Sequence, residues 1–272
     1  AFRWAPKLVD AFGEQALFYG QSLMAIPLAV RLYRRETARL IAEMAFGGAG
    51  GLLVIGGTLG GVTALLTLAS GGILAVQGYS SLGDIGIEAL TGFLSAFLNV
   101  RIVAPPVIAG IALAATIGAG TTAQLGAMRI AEEIDALEVM AVRSMSFLVG
   151  TRMIAGAVVI VPLYSLATLA SFFAARFTTV YLSGQSSGLY DHYFNTFLIP
   201  TDLLWSFLQA IVMSIAVMLV HTYYGYNAKG GPVGVGVATG DAVRTSLVVV
   251  VLITLLISLA VYGSSGKFTL SG

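Results

Sequence analysis

The stretch GTTAQLGAMRIAEEIDALEVMA, Gly120 to Ala141, decides how the rest of the chain is read. Arg129, Glu132, Glu133, Asp135 and Glu138 fall within ten residues, between two long apolar runs. At about 100° per residue, Ile130, Ile134, Leu137 and Ala141 share one narrow stripe, while Arg129, Glu132, Glu133 and Asp135 spread over the opposite side. The pattern predicts a short amphipathic helix over about residues 128–141. It is too short for a bilayer, which takes roughly 20 residues to cross, and too polar to lie inside one. It therefore meets something outside the lipid.

Composition sets the frame around that helix. Hydrophobic residues make up 57% of the chain and charged residues 10%, and the mean hydropathy is +0.91. Soluble domains carry roughly a quarter charged residues, so this is an integral membrane protein. Fourteen basic against thirteen acidic residues leave a net charge of +1, which gives nucleic acid nothing to bind. The absence of cysteine removes disulfides, thiol catalysis and thiolate metal sites, and two histidines without a nearby carboxylate cluster leave little for zinc. No cleavable signal is expected, because the first apolar segment follows a polar, basic lead.

In chain order, residues 1–45 carry Lys7, Arg31, Arg34, Arg35 and Arg39 among leucines, aromatics and alanines, with Pro27 in the middle. We read an amphipathic interfacial segment kinked at Pro27. The first span runs from Phe46 to about Gly78, with Gly47 and Gly51, Gly56 and Gly60, and Gly57 and Gly61 each four apart. Such spacing lets helix backbones approach closely in lipid, either within the chain or at a subunit interface. Residues 80–99 cap the far side, with Asp84 and Glu88 on a solvated face. Four further spans follow: Val103–Leu125, entered at a bend made by Pro105 and Pro106, then Phe147–Phe173, Leu203–Tyr224 and Leu247–Tyr262. The expected fold is all-α: an interfacial helix and five transmembrane helices, with residues 46–264 as the membrane domain and 265–272 as a tail.

Charge asymmetry orients it. Eleven Lys and Arg lie on the side of the charged helix and three on the other. The positive-inside rule places the charged helix and amino terminus in the cytoplasm and the carboxyl terminus outside. The stretch YNAKGGPVGVGVATGDAVR, Tyr226 to Arg244, contains Gly234, Gly236 and Gly240 but neither the spacing nor the flanking strands of a nucleotide fingerprint, so it reads as a turned connection. No GxxxxGK[ST] occurs, so no ATP site of its own is expected.

At this point a resemblance enters. GAGTTAQLGAMRIAEEIDALEVMAV (Gly118 to Val142) resembles the signature of the MlaE, or YrbE, permeases, and YYGYNAKGGPVGVGVATGDAV (Tyr223 to Val243) resembles that family's loop before its last span. NVRIVAPPVIAGIALAATIGAG (Asn99 to Gly120) and DHYFNTF (Asp191 to Phe197) resemble the B-type permeases of actinobacterial Mce complexes. One departure is Gln124, where relatives commonly carry Glu.

The resemblance implies a non-catalytic transmembrane subunit of an ABC lipid transporter in a bacterial inner membrane. Its expected partners are a cytoplasmic ATPase of the MlaF or MceG kind, which binds the ATP, a second YrbE permease that is a paralogue, extracytoplasmic MCE-domain proteins and a lipid, with fatty or mycolic acid import implied for the Mce branch. It also makes the helix from Arg129 to Met140 the coupling helix. Glu132, Glu133, Asp135 and Glu138, with Arg129 beside them, would then face the ATPase, and Ile134 and Leu137 would fill an apolar slot or hold the helix to its own spans. Read without the resemblance, the five charges are equally a solvated face.

Three other functions were weighed. A secondary transporter is disfavoured, since the spans carry essentially no mid-span ionisable residues. An intramembrane enzyme would have only His221, beside Tyr223 and Tyr224, which reads as a satisfied interfacial residue. A passive scaffold anchoring lipid-binding proteins stays open.

Overall fold

The computed structural model describes residues 5–46, 59–101 and 105–262. Among these the chain is helix and short turns. Helices α1 (Ala5–Leu32), α2 (Arg34–Phe46), α3 (Leu59–Gly83) and α4 (Thr91–Arg101) come first. They are followed by α5 (Pro105–Leu113), α6 (Ala119–Ile130), α7 (Glu133–Val139), α8 (Thr151–Phe177), α9 (Ser187–Phe197), α10 (Pro200–Tyr226) and α11 (Gly231–Tyr262). Wide π-type turns at Ala114–Gly118, Met145–Gly150 and Thr178–Leu182 join α5 to α6 and extend α8 at both ends.

Among the described residues, five helices are long and apolar enough to cross a membrane: Thr63–Gly83, Ala109–Ile130, Met145–Leu182, Pro200–Tyr226 and Gly231–Ala260. At about 1.5 Å per residue, the third is about 57 Å long, well beyond the roughly 30 Å of a hydrocarbon core.

Four boundaries differ from the expectation, each for a physical reason. The interfacial segment breaks at Tyr33 and not at Pro27. Pro27 lies on the exposed side of α1, where a missing ladder bond is tolerated, while the Tyr33 ring packs edge-on against Phe147 with centroids 5.1 Å apart. Pro105 and Pro106 open α5 rather than bend a span, since a first-turn proline gives up only an N–H that has no intrahelical partner. Residues 231–244 are not a connection but the first turns of α11, and the link from α10 is confined to 227–230. Its reversal is made by Gly230 and Gly231, at φ of +88° and +70°, a region that L side chains avoid. The fourth difference concerns the charged segment, which divides at Glu132. Of the paired glycines, Gly47, Gly51, Gly56 and Gly57 lie outside the described residues, as does the tail, 265–272; Gly60 and Gly61 are in the first turn of α3.

The chain divides into two compact units. One comprises Ala1–Gly51, Leu113–Val159 and Ser214–Leu247. In it, Phe18, Val149, Met153 and Met218 form a buried core walled by Tyr19, Ile117 and Tyr223. Buried residues on α1 recur as Phe18, Ser22, Ala25 and Ala29, and this stripe lies on Met145–Gly150. The approach is close because the residues are small: a Cβ on Gly150 would stand 2.9 Å from that of Ala29.

The other unit comprises Leu52–Ala112, Ile160–Met213 and Val248–Gly272. There α3 packs on α4, and α4 on α9. Phe93 stacks edge-on with Phe197 at 4.7 Å and Phe172 with Phe194 at 5.1 Å. Arg176 holds both oxygens of Asp191 at 2.8 Å, and Gln185 Nε2 donates to the Glu88 carbonyl at 2.8 Å. A Cβ on Gly92 would run into the Tyr190 carbonyl and stand 3.0 Å from the Phe194 nitrogen, so the seam between α4 and α9 closes only on glycine.

Two outcomes follow. Gly92→Ala forces that seam apart and is expected to cost about 1–3 kcal/mol, read as a lowered thermal midpoint of the purified protein in detergent. The Arg176 guanidinium holds the Asp191 carboxyl below its ordinary value, so the stabilisation it gives is present above the usual carboxylate range and is lost as pH falls. The wild type is therefore expected to melt higher than Asp191→Asn at pH 7, and the gap to close below about pH 4.

Candidate functional site

The charged segment is not one helix from Arg129 to Met140. The span containing α6 ends at Ile130, the chain turns at Ala131 and Glu132, and α7 runs only from Glu133 to Val139. Glu132 has φ of +57° and Ala141 φ of +59°; among the described residues these are the only non-glycine positions in the left-handed region. The second closes α7 as a Schellman turn, with the Val142 N–H bonded to the Leu137 carbonyl and the Ala141 N–H to that of Glu138. Side chains pay a steric penalty in that conformation, so the bends at both ends of α7 are held by surrounding structure.

The holding groups are identifiable. Ile134 is fully buried with Leu125 and Leu148, and Leu137, Met128 and Phe147 pack around them. Of the two roles weighed for the apolar stripe, Ile134 occupies the one that fixes α7 to its own spans. On the polar side, Ser144 Oγ donates to Glu138 Oε1 at 2.6 Å, and Tyr226 Oη reaches the same oxygen at 3.2 Å. The Ser144 and Tyr226 hydroxyls are themselves 2.9 Å apart, which closes a triangle of three oxygens. Arg129 donates to Asp135 at 2.7 Å and lies over the Tyr226 ring, 5.9 Å from its centroid. Three of the five predicted charges, Arg129, Asp135 and Glu138, are thus bound to this chain's own groups.

What remains outward is different. Glu132 and Glu133 are exposed and make no ion pair among the described residues. Beside them Val139 is 88% exposed and Met140 65%, values unusual for apolar side chains in an ordered helix end. The exposed face therefore combines two carboxylates with an apolar tip, and Val139 and Met140 were not among the residues the sequence singled out.

Glycine shapes the frame behind this face. A Cβ on Gly225 would stand 3.0 Å from the Thr122 carbonyl, and one on Gly126 would stand 2.9 Å from Val235, so α6, α10 and α11 meet closely there. Gly234, which had invited a nucleotide reading, lies against the Lys229 carbonyl. His221, five residues before the end of α10, is fully buried within the protein. Its Nδ1 shares a hydrogen bond of 2.7 Å with Thr122 Oγ1, its ring fills the notch left by Gly118, and its Nε2 has no partner. Arg152, one of the eleven cations on the side of the charged helix, is buried in α8 with Nη1 donating to the Leu148 carbonyl. Asp84 and Glu88 are both exposed. No group of three or more His, Asp or Glu side chains that would hold a metal occurs among the described residues.

Tyr226 and Ser144 were missed from sequence. Tyr226 is 88 residues from Glu138 and opens the stretch read as a connection, so only its position in YYGYNAKGG marked it.

Comparison with known proteins agrees with this architecture. A family model described as Permease MlaE matches residues 40–260. A probable ABC transporter permease protein of Rickettsia bellii is 28% identical over 197 residues, 72% of this chain and 76% of that protein. The intermembrane phospholipid transport system permease protein MlaE of Haemophilus influenzae is 27% identical over 265 residues, 94% of this chain and 98% of its own length. A chloroplast protein of Arabidopsis thaliana, TRIGALACTOSYLDIACYLGLYCEROL 1, is 29% identical over 147 residues, 53% of this chain and 41% of its own. With the match running from within α2 to the last turn of α11, the chain belongs to the MlaE permease family.

Proposed function

We propose that this chain is the membrane subunit of an ATP-driven lipid transporter and that α7, with its two bends, is the lever on which a cytoplasmic ATPase acts. The observation that carries the reading is a seven-residue helix locked to its own spans on one side and presenting Glu132, Glu133, Val139 and Met140 on the other. A lever needs both properties: stiffness toward the spans it moves, and a face shaped for a partner. The apolar tip supplies buried area and the carboxylates supply orientation toward basic groups of the ATPase. Orientation with the amino terminus and α7 in the cytoplasm follows from the distribution of Lys and Arg.

The cargo is a lipid. A phospholipid is supported by the name of the Haemophilus relative, and fatty or mycolic acid import through an Mce assembly by the resemblance of Asn99–Gly120 and Asp191–Phe197 to B-type Mce permeases. A second permease, a paralogue in that branch, and extracytoplasmic MCE-domain proteins complete the proposed assembly. The slight burial of the first and fifth spans, 22% and 17%, is consistent with surface left for partner subunits and lipid.

Reversing Glu132 and Glu133 together to Lys is expected to abolish ATPase copurification and lipid transport while leaving the detergent-extracted protein monodisperse. Normal values for both would refute the docking role. Ala141→Gly removes the left-handed penalty of about 1 kcal/mol and is expected to raise the thermal midpoint by about 2–4 °C, measured on the purified chain.

A further inference from the structure

The bend between α1 and α2 carries a second feature that the coupling reading does not use. From Arg31 to Arg39 the chain holds Arg31, Arg34, Arg35 and Arg39 against the single acid Glu36, a local charge of +3. All four arginines are exposed. Arg39 pairs with Glu36 at 3.0 Å and Arg34 Nε donates to the Val30 carbonyl at 3.0 Å. Arg31 and Arg35 have no ion-pair partner among the described residues.

The segment is held rigidly from behind. Ala29, Thr37 and Leu40 are buried, and Tyr33 packs on Phe147. On the outer side a cavity of about 530 Å³ opens at the bend, lined by Leu32, Tyr33, Arg35, Glu36 and Arg39. Its lining therefore combines the leucine and tyrosine side chains with two guanidinium groups and one carboxylate. The same division extends along α1, where Met24 is 82% and Leu32 63% exposed next to the arginines. A soluble anion would use the cations and gain nothing from those side chains. A lipid uses both, with acyl carbon against Leu32 and Met24 and the phosphate at guanidinium level. All four cations are Arg, whose fork matches two phosphate oxygens as an ammonium does not.

We propose that the bend between α1 and α2 is a docking site for an anionic phospholipid of the surrounding leaflet, with Arg35 and Arg39 reading its phosphate and Leu32 and Tyr33 contacting its glycerol and upper chains. The cavity is of the size that takes a headgroup-sized ligand. Glu36 pairs with Arg39 at 3.0 Å, so Arg35 is the lining cation without an ion-pair partner among the described residues and carries most of the attraction. The inference is independent of the ATPase reading, since it concerns the chain and the bilayer alone.

The test uses the full chain, without ATPase, reconstituted into nanodiscs of phosphatidylcholine containing trace spin-labelled phosphatidylglycerol or spin-labelled phosphatidylcholine. The motionally restricted fraction of each label gives the relative association. The wild type is expected to prefer phosphatidylglycerol, and Arg35→Gln to reduce that preference by about fivefold, the effect of one basic residue near an anionic surface. Arg35→Lys, which keeps the charge and loses the fork, is expected to fall between them. Equal restriction of the two labels by the wild type, or an unchanged preference in the Arg35→Gln/Arg39→Gln double variant, would overturn the proposal. Displacement of the labelled lipid by millimolar inorganic phosphate would also overturn it, by making this a free-anion site.

Discussion

Everything that α7 does depends on the junction of Glu138, Ser144 and Tyr226. A helix of seven residues has no stability of its own in water, where nucleation outweighs the few hydrogen bonds such a length provides. Its order is borrowed from the spans: Ile134 is buried on one flank and the three-oxygen triangle closes the other. The consequence is mechanical. Tyr226 ends α10, Ser144 precedes the third span and Arg129 lies in the last turn of α6, so α7 is tied by side-chain contacts to the ends of three spans. Loss of any one contact would leave the helix present but loosely connected.

The same junction explains why the two bends around α7 can exist. Glutamate and alanine are poor choices for left-handed backbone, and a glycine at either position would be easier to form. Residues that adopt such angles do so where packing over-determines them. Here the bend at Glu132 orients an exposed carboxylate, and the bend at Ala141 directs the chain back through Ser144 into the third span.

How much of this was legible in the sequence depends on the range of the interaction involved. The five spans follow from hydropathy, because lipid imposes helical hydrogen bonding on any long apolar run. The amphipathic character of 128–141 was readable from spacing, but its division at Glu132 was not, since nothing local in AEEID asks for left-handed backbone. The start of α11 was hidden by glycines that mark turns in water; Gly230 and Gly231 make the turn, and Gly234 leaves room for the Lys229 carbonyl of the preceding link. The roles of Glu138 and Arg129 turned on partners, and the Tyr226 partner is 88 residues away. The burial of His221 was not legible for a related reason. An interfacial position follows from its nearness to the end of an apolar run, whereas its burial depends on the notch at Gly118, in a different helix.

The three wide turns at 114–118, 145–150 and 178–182 have a mechanical meaning as well. Each holds about one residue more per turn than the α-helix around it, an inserted residue of the kind often found at functional sites. The third span carries such a defect at both extremities. One inserted residue shifts the register by about 100°, so the side chains beyond each turn face a direction that an uninterrupted α-helix of the same sequence would not give them.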